Sequence, residues 1–413
     1  MSSRLPIAVL GAGIQGCCVA LELARRGCRV VLVDQDDQPM NRTSVRNEGK
    51  IHLGLVYAHD PLGHTADLML RGALHFFPLL SRWLGEAVYR LPPSTPFLYL
   101  VAEDSLLKPD ELEQHYHQVE TICRGMLDED RTLNYLGLRP DRLVQRLPND
   151  ELARHFRASC LLGGFATEER ALNTLEVAQH IRQAVHNHPA ITFLPSHAVR
   201  SVSRCGDVFR VEGEGSDGVW ALEAEQVVNA TWANRQALDR SMGIEPEPGV
   251  LHRLKYRVLA HLPPRLRSGP SVTMVIGRYG DVVIRPDGTV YLSWYPVAMK
   301  GWSHDLQPPA AWNEAATGKV SPELAVEIAR EIMNAIDAWY PGMAEVTPYQ
   351  VDAGVICAYG TTDVDDQSSG LHNRTRIGVR SFDGYHSVST GKYTCAPWFA
   401  VEAAEAVLAG ALS

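Results

Sequence analysis

The sequence lacks the features that mark several large classes of protein. No apolar run approaches the roughly 18 residues that a membrane-spanning helix needs. The 413-residue chain has eight cysteines but no C-x-x-C pair, so neither a metal site nor a disulfide framework is predicted. Basic residues are in deficit, with 39 Lys and Arg against 48 Asp and Glu and a net charge of −9. A nucleic-acid binder needs the opposite sign, because it neutralises phosphates. We therefore expect a cytoplasmic protein without a membrane segment or a nucleic-acid partner, while its oligomeric state stays open.

The first forty residues contain the pattern of a dinucleotide-binding unit. An apolar run, 5–10, enters a glycine turn that opens a helix, and a second run, 29–33, ends in an acid. In this context G-x-G-x-x-G is specific. Its glycines allow a tight turn, approach to a pyrophosphate and close packing of helix on strand, and the acid accepts a hydrogen bond from a ribose. The predicted contacts are Gly11, Ala12, Gly13, Ile14, Gln15, Gly16 and Asp34. They do not separate NAD from FAD.

The polar stretch 41–60, NRTSVRNEGKIHLGLVYAHD, stands where a nicotinamide dehydrogenase normally has a simple crossover helix. It resembles the segment that wraps the flavin in the D-amino-acid oxidase superfamily of FAD-dependent oxidoreductases. Asn47, Gly49, Ile51 and His52 are similar to the N-S-G-x-I-H pattern of the L-2-hydroxyglutarate oxidases in that superfamily. Val56 stands where its glycerol-3-phosphate dehydrogenases have an arginine, which argues against a phosphate-bearing substrate.

Three later segments resemble the same superfamily. Residues 226–231, QVVNAT, and 389–394, STGKYT, are similar to V-V-N-A-T-G and G-G-K-x-T of the glycerol-3-phosphate dehydrogenases. Residues 354–363, GVICAYGTTD, resemble the segment of monomeric sarcosine oxidase whose cysteine carries the flavin through a thioether. The resemblance implies FAD, either bonded to Cys357 or held without a bond. It adds the following cofactor contacts: Thr43, Ser44, Asn47, Gly49, Lys50, Ile51, Val199, Ala230, Thr231, Trp232, Cys357, Gly391, Lys392, Tyr393 and Thr394.

The predicted fold class is α/β, or α+β over the whole chain. A Rossmann-like FAD-binding domain with a parallel sheet and a β-meander is predicted over 1–85, 155–248 and 345–413. A substrate domain with a mixed or antiparallel sheet is predicted over 86–154 and 249–344, where short β-rich runs alternate with turns. The last helix is expected over 399–412.

Three residues are predicted to be catalytic. His52 suits the base that an alcohol needs for its hydroxyl proton, although it could also only shape the flavin cleft. Lys392 would stabilise the negative charge that develops on the flavin during reduction. Tyr256 belongs to a set of cations and aromatics between 255 and 300 that suits a substrate with a carboxylate.

The predicted function is an FAD-dependent oxidation of a small molecule at a carbon bearing an amine, with oxygen or another acceptor reoxidising the flavin. The Cys357 segment resembles amine oxidases, whereas the His52 segment resembles hydroxy-acid enzymes. Oxidation of a 2-hydroxy acid or another alcohol is therefore the first alternative. An NAD-binding dehydrogenase and a nucleotide-binding protein without catalysis are the others.

Overall fold

The computed structural model describes residues 5–60 and 62–410. Its strands are β1 (Ile7–Leu10), β2 (Val30–Val33), β3 (Lys50–Ile51), β4 (Phe97–Ala102), β5 (Val144–Leu147), β6 (Leu161–Thr167), β7 (Arg170–Ala171), β8 (Ile191–Leu194), β9 (His197–Cys205), β10 (Val208–Gly215), β11 (Gly218–Ala224), β12 (Gln226–Asn229), β13 (Val250–His261), β14 (Ser271–Val275), β15 (Gly280–Ile284), β16 (Thr289–Trp294), β17 (Met299–Ser303), β18 (Thr347–Tyr359), β19 (Gly378–Phe382) and β20 (Tyr385–Ser389).

The α-helices of the same residues are α1 (Ile14–Arg25), α2 (His64–Leu84), α3 (Pro109–Glu129), α4 (Asn149–Leu152), α5 (Thr174–Asn187), α6 (Arg235–Ser241), α7 (Tyr295–Ala298), α8 (Asn313–Ala316), α9 (Pro322–Asp337) and α10 (Ala396–Gly410). α10 begins three residues before the predicted last helix, whose predicted end at 411–412 lies outside the described residues. No helix in the described part of the chain is long and apolar enough to cross a membrane.

A six-stranded sheet forms the first half of the fold, in the order β19-β20-β12-β1-β2-β8. β20, β12, β1, β2 and β8 run parallel, and β19 is antiparallel to β20. All four residues of β1 are buried, as expected of a strand covered on both faces. α1 and α10 pack together on one face, and the β9–β11 meander covers the other, where Phe209 and Val211 join a core with Ala8 and Leu10. The predicted parallel sheet and meander are therefore confirmed.

A nine-stranded mixed sheet forms the second half, in the order β17-β13-β16-β15-β14-β4-β6-β5, with β18 also paired to β13. β14 is parallel to β4, whereas β13, β16 and β15 pair antiparallel. The predicted domain boundaries place β18 and β6 in the FAD-binding domain. The structure instead places both in this sheet, because β18 pairs with β13 along nearly its whole length and β6 pairs with β4 and β5.

A two-stranded ladder joins the two halves. Its strands are β3 and β7, paired antiparallel with Lys50 opposite Ala171. The ladder brings the His52 segment beside the turn between β6 and β7, where Glu169 is fully buried. This position puts the wrapping segment 41–60 between the two large sheets.

Candidate active site

A cleft of about 400 Å³ lies at the carboxyl ends of β1, β2 and β12 and extends to β13 and β18. Ligands of open α/β sheets bind at such carboxyl ends. One end of the cleft is formed by the glycine turn and Asp34, and the other by charged side chains that include Arg253 and Lys255 of β13. A second depression, between the start of α2 and the middle of α3, contains none of the predicted site residues.

The glycine turn is packed so closely that side chains cannot replace Gly11 or Gly16. A Cβ on Gly16 would lie 1.8 Å from the carbonyl oxygen of Gly11, and one on Gly11 would lie 2.8 Å from that of Ala230. Gly11 also has φ of +90°, which favours glycine. Gly13 precedes α1 without a side-chain cap, and the amide of Ile14 donates to Ser44 Oγ at 2.9 Å. The start of α1 therefore faces the cleft without a cap from its own N-cap residue, in the arrangement that binds a phosphate.

Asp34 ends β2 at the same side of the cleft. Its carboxylate accepts the amides of Ala12 at 2.5 Å and Asp36 at 2.9 Å. Burial raises the pKa of Asp34 to about 6, although these two amides oppose the change. A donor such as a ribose hydroxyl would favour the ionised form.

Charged side chains crowd the other end of the cleft. Arg253, Lys255, Arg374 and Lys392 line it, together with the carboxylate of Glu48. Lys255 Nζ lies 3.8 Å from Glu48 Oε2, and Arg253 Nη1 lies 3.5 Å from Asp363 Oδ1. The cations exceed the acids that pair with them at this end of the cleft.

Tyr295 lies among these cations. Its ring centre is 4.9 Å from Lys255 Nζ and 5.9 Å from the guanidinium carbon of Arg253. Burial raises the pKa of Tyr295, but Lys255 and Arg253 outweigh burial and leave that pKa below its ordinary value. Burial lowers the pKa of Lys392, which Glu48 partly restores. This end of the cleft is therefore strongly electropositive.

His52 is buried in the wall between these groups. Its Nε2 lies 3.8 Å from Glu48 Oε1, and its Nδ1 lies 3.8 Å from Glu169 Oε1. Burial and the charge of Lys392 lower the pKa of His52, although Glu48 and Glu169 oppose the change. Burial also opposes ionisation of Glu48, but Lys255 and His52 outweigh it and hold the pKa of Glu48 well below its ordinary value.

Several buried polar atoms of this cluster have no hydrogen-bond partner within the described residues. They are both ring nitrogens of His52, Nε and Nη1 of Arg253, and Nε of Arg374. Arg253 is only 1% exposed. Because buried donors and acceptors are nearly always paired in folded proteins, these atoms mark the place of a polar ligand.

Most predicted site residues meet in the cleft. The lining contains Gly11, Ala12, Gly13, Ile14, Gln15, Asp34, Thr43, Ser44, Asn47, Lys50, His52, Val199, Ala230, Thr231, Trp232, Gly391, Lys392 and Tyr393. Four others lie just behind it. Gly16 and Gly49 approach neighbouring backbone, Ile51 is a core residue, and Thr394 Oγ1 accepts the amide of His52 at 2.9 Å.

Two predicted residues are not brought into the cleft. Tyr256 follows Lys255 on β13, so strand alternation turns it to the opposite face, where it packs in a core with Leu254 and Val258. Cys357 lines a separate cavity of about 10 Å³ next to the cleft, and burial raises the pKa of its thiol to about 11. The structure therefore gives Tyr256 a packing role and does not place the Cys357 sulfur in the cleft wall.

Other site residues were missed from the sequence. Glu48, Arg253, Glu169 and Arg374 were assigned no role, although Glu48 lies in the wrapping segment and four residues before His52. Glu48 carried a usable signal, because an acid and a histidine so close in a cofactor-wrapping loop can share a site. Glu169 and Arg374 had none, since only the tertiary fold brings them there.

Comparison with known proteins gives a consistent family. The family described as FAD dependent oxidoreductase (DAO) matches residues 6–405. The glycerol-3-phosphate dehydrogenase of Mycobacterium leprae is 24% identical over 99% of this chain and 64% of its own length, so the chain spans less than two thirds of that relative. The glycine oxidase of Geobacillus kaustophilus has a TM-score of 0.68 at 15% identity, covering 98% of this chain and 95% of that one. The FAD-bound L-α-glycerophosphate oxidase of Mycoplasma pneumoniae has a TM-score of 0.64 at 14% identity, with the same coverage. At such identities the two structures show the fold alone.

Proposed function

Because this chain belongs to the family of FAD-dependent oxidoreductases, we propose that it oxidises a small carboxylate-bearing molecule at a carbon that carries a hydroxyl group. Membership confirms the predicted family, the FAD cofactor and the oxidoreductase class. The observation that carries the proposal is the buried ring of His52 in the cleft wall, with neither nitrogen hydrogen-bonded.

The residues of the cleft fit FAD. The close-packed turn at Gly11 and the start of α1 beside it suit a pyrophosphate, and Asp34 suits the ribose. Lys392 stands at the far end of the same cleft, where a cation would favour a flavin that has gained negative charge. When bound, FAD supplies a two-electron acceptor, and this chain supplies binding, orientation and the handling of protons.

A carboxylate is the group that best fits the electropositive end. Arg253 and Arg374 both have buried nitrogens without a hydrogen-bond partner, and a carboxylate can accept from guanidinium groups with two oxygens. Such a ligand would pair donors that otherwise stay unsatisfied, a loss that costs about 1–3 kcal/mol for each group. The aromatic faces of Tyr295 and Trp302 flank Arg253 and restrict the position of its guanidinium.

His52 is suited to take the hydroxyl proton. Burial and Lys392 lower its pKa, which favours the neutral ring, and a neutral histidine in hydrogen-bond reach is an effective general base. The imidazolium that forms would lie beside the carboxylates of Glu48 and Glu169, which stabilise its charge. A neutral amine needs no such base.

Oxidation of an amine is the second candidate, and one observation favours it. Glu48 presents an ionised carboxylate to the cleft, which could pair with the ammonium group of an amino acid. The sequence favoured an amine through the Cys357 segment. Cys357 lies outside the cleft wall, so this segment no longer decides between the two chemistries, and the position of His52 favours the alcohol.

Anaerobic reduction of the flavin tests the proposal without knowledge of the electron acceptor. The reconstituted protein is mixed with matched 2-hydroxy and 2-amino acids and with glycerol 3-phosphate, and bleaching of the flavin band is followed. We expect 2-hydroxy acids to reduce the flavin, and His52→Asn to slow that step by about 10²–10⁴-fold. His117→Asn, at an exposed position of α3, is the matched control and is expected to have no effect. Reduction by amino acids alone, unaffected by His52→Asn, would overturn the proposal.

A further inference from the structure

The ring of His52 has one nitrogen toward the cleft and one toward the interior. Nε2 is directed toward Glu48, which lines the cleft. Nδ1 is directed toward Glu169, whose side chain is fully buried behind the wall. The two nitrogens therefore face different carboxylates.

Glu169 is held in one orientation by Tyr99 and Leu53, which do not line the cleft, and it lies near Lys50, which does. Its Oε1 accepts the phenol of Tyr99 at 2.5 Å, and its Oε2 accepts the amide of Leu53 at 2.7 Å. Lys50 Nζ lies 3.9 Å from Oε1. The phenol of Tyr99 and the amide of Leu53, the residue after His52, thus fix this carboxylate from two sides.

The charges around Glu169 leave it available to the histidine. Lys50, the nearest cation, is bonded more closely to Asp281, at 2.6 Å, and also donates to Thr273. Lys50 is therefore shared between two carboxylates. The three groups together carry one negative charge in excess, and His52 is the remaining partner of Glu169 within the described residues.

We propose that Glu169 is a positioning residue that holds the Nδ1–H of His52, so that the Nε2 lone pair faces the cleft. This inference rests on the proposed role of His52 as the base. When the substrate O–H bond breaks and an Nε2–H bond forms, the Nδ1 proton stays in place and the carboxylate of Glu169 balances the new positive charge. A buried carboxylate acts on a catalytic histidine in this way in hydrolytic triads.

The separation of 3.8 Å between Nδ1 and Oε1 is longer than a hydrogen bond. Catalytic hydrogen bonds are often long before the substrate is bound and shorten in the complex. The other groups that face His52 are Glu48, Lys392, Lys50 and the ring of Tyr57, the last at 5.9 Å between centroids. Glu48 and Glu169 raise the pKa of the imidazole, whereas burial and the two lysines lower it.

The test compares the wild-type holoenzyme with Glu169→Gln, Tyr99→Phe and the control Glu168→Gln, a partly exposed neighbour paired with Arg170. The tautomer and pKa of His52 are read by NMR with labelled histidine, using His52→Asn to assign the signal. We expect the Nδ1–H tautomer in wild type and a mixture in Glu169→Gln. The pKa should fall in Glu169→Gln, because a negative charge is removed.

The kinetic measurement is the pH profile of kcat/KM for the hydroxy acid. Its acid limb should move to lower pH in Glu169→Gln. The value of kcat should fall by about 10–100-fold, the range found when the partner that orients a metal-bound histidine is lost, while KM changes little. Tyr99→Phe keeps the charge and is expected to leave the tautomer unchanged. Glu168→Gln should match wild type.

An Nε2–H tautomer in wild type would overturn the inference, as would a fall in kcat with an unmoved acid limb. The NMR measurement needs no substrate. A wild-type protein that turns over no hydroxy acid would therefore refute the proposed function. The tautomer of His52 would still test whether Glu169 holds the Nδ1–H. If Glu169→Gln does not fold, the inference is tested on wild type and Tyr99→Phe. Both proteins keep the carboxylate of Glu169, so His52 must be the Nδ1–H tautomer in both.

Discussion

Replacement of Gly16 by alanine tests whether close packing of α1 on β1 builds the cofactor end of the cleft. The new Cβ would lie 1.8 Å from the carbonyl oxygen of Gly11, about 1.5 Å closer than the ~3.3 Å of a close carbon–oxygen contact. Neither the turn nor the buried helix start can move by that amount without disturbing the cleft. Overpacking of this kind costs about 1–3 kcal/mol or more.

Gly125→Ala is the matched control. Gly125 also lies inside a helix, α3, but a Cβ there meets nothing within 4 Å, so the better helix propensity of alanine should stabilise by up to about 1 kcal/mol. We therefore expect the free energies of unfolding of the two variants to differ by about 3 kcal/mol. Denaturant unfolding gives these values, and fluorescence titration gives FAD affinity, which should fall at least about tenfold in Gly16→Ala. Equal stability and equal affinity in the two variants would refute the reasoning.

Three further outcomes are expected. Arg253→Met should raise KM for the carboxylate substrate by about 10–150-fold, since a hydrogen bond to a charged group contributes about 1.5–3 kcal/mol. The control Lys300→Met, at an exposed lysine paired with Glu331, should leave KM unchanged. An unchanged KM for Arg253→Met in steady-state kinetics would show that another residue binds the carboxylate. FAD affinity should rise as pH increases from 5 to 7, because the pKa of Asp34 is raised to about 6 and a ribose donor favours the ionised form. Asp34→Asn should remove this pH dependence in a titration series. The same pH dependence in both proteins would contradict the role of Asp34 as the ribose acceptor. Acid precipitation should leave the flavin in the supernatant for both wild type and Cys357→Ser, since the thiol lies outside the cleft wall and its pKa is raised to about 11. Flavin that stays with the precipitated protein in wild type alone would establish a thioether to Cys357.

Local signals predicted the cofactor half of the molecule well. The strand, glycine turn, helix and acid at 5–34 lie within one short stretch, so the pattern itself fixes their relative positions. The side chain of Asn173 caps α5 by accepting the amide of Leu175, and that of Ser321 accepts the amide of Leu324 at the start of α9. Both helices, the second of them in the other half of the molecule, begin at a residue type that is typical of an N-cap.

For the electropositive end of the cleft, the sequence predicted which residue types are present but not which of them face the cleft. A cation-rich and aromatic stretch was evident, but which half of it faces the cleft depends on the register of β13 against β18. That register turns Arg253 and Lys255 toward the cleft and Tyr256 away from it. Glu169 reaches His52 only because β3 pairs with β7, a contact between segments more than a hundred residues apart that leaves no local signal.

The order of strands in the six-stranded sheet has a consequence for biosynthesis. β12 lies between β1 and β20, with Ile7 opposite Gln226 and Val227 opposite Tyr385. Pairing of such distant parallel segments is intrinsically slow, and the sheet cannot be completed on the ribosome before residues 385–389 have been made. Until then β12 has an open edge, of the kind that binds chaperones or aggregates. A chain that stops short of β20 should therefore be recovered as insoluble protein even though every glycine of the cofactor turn is present.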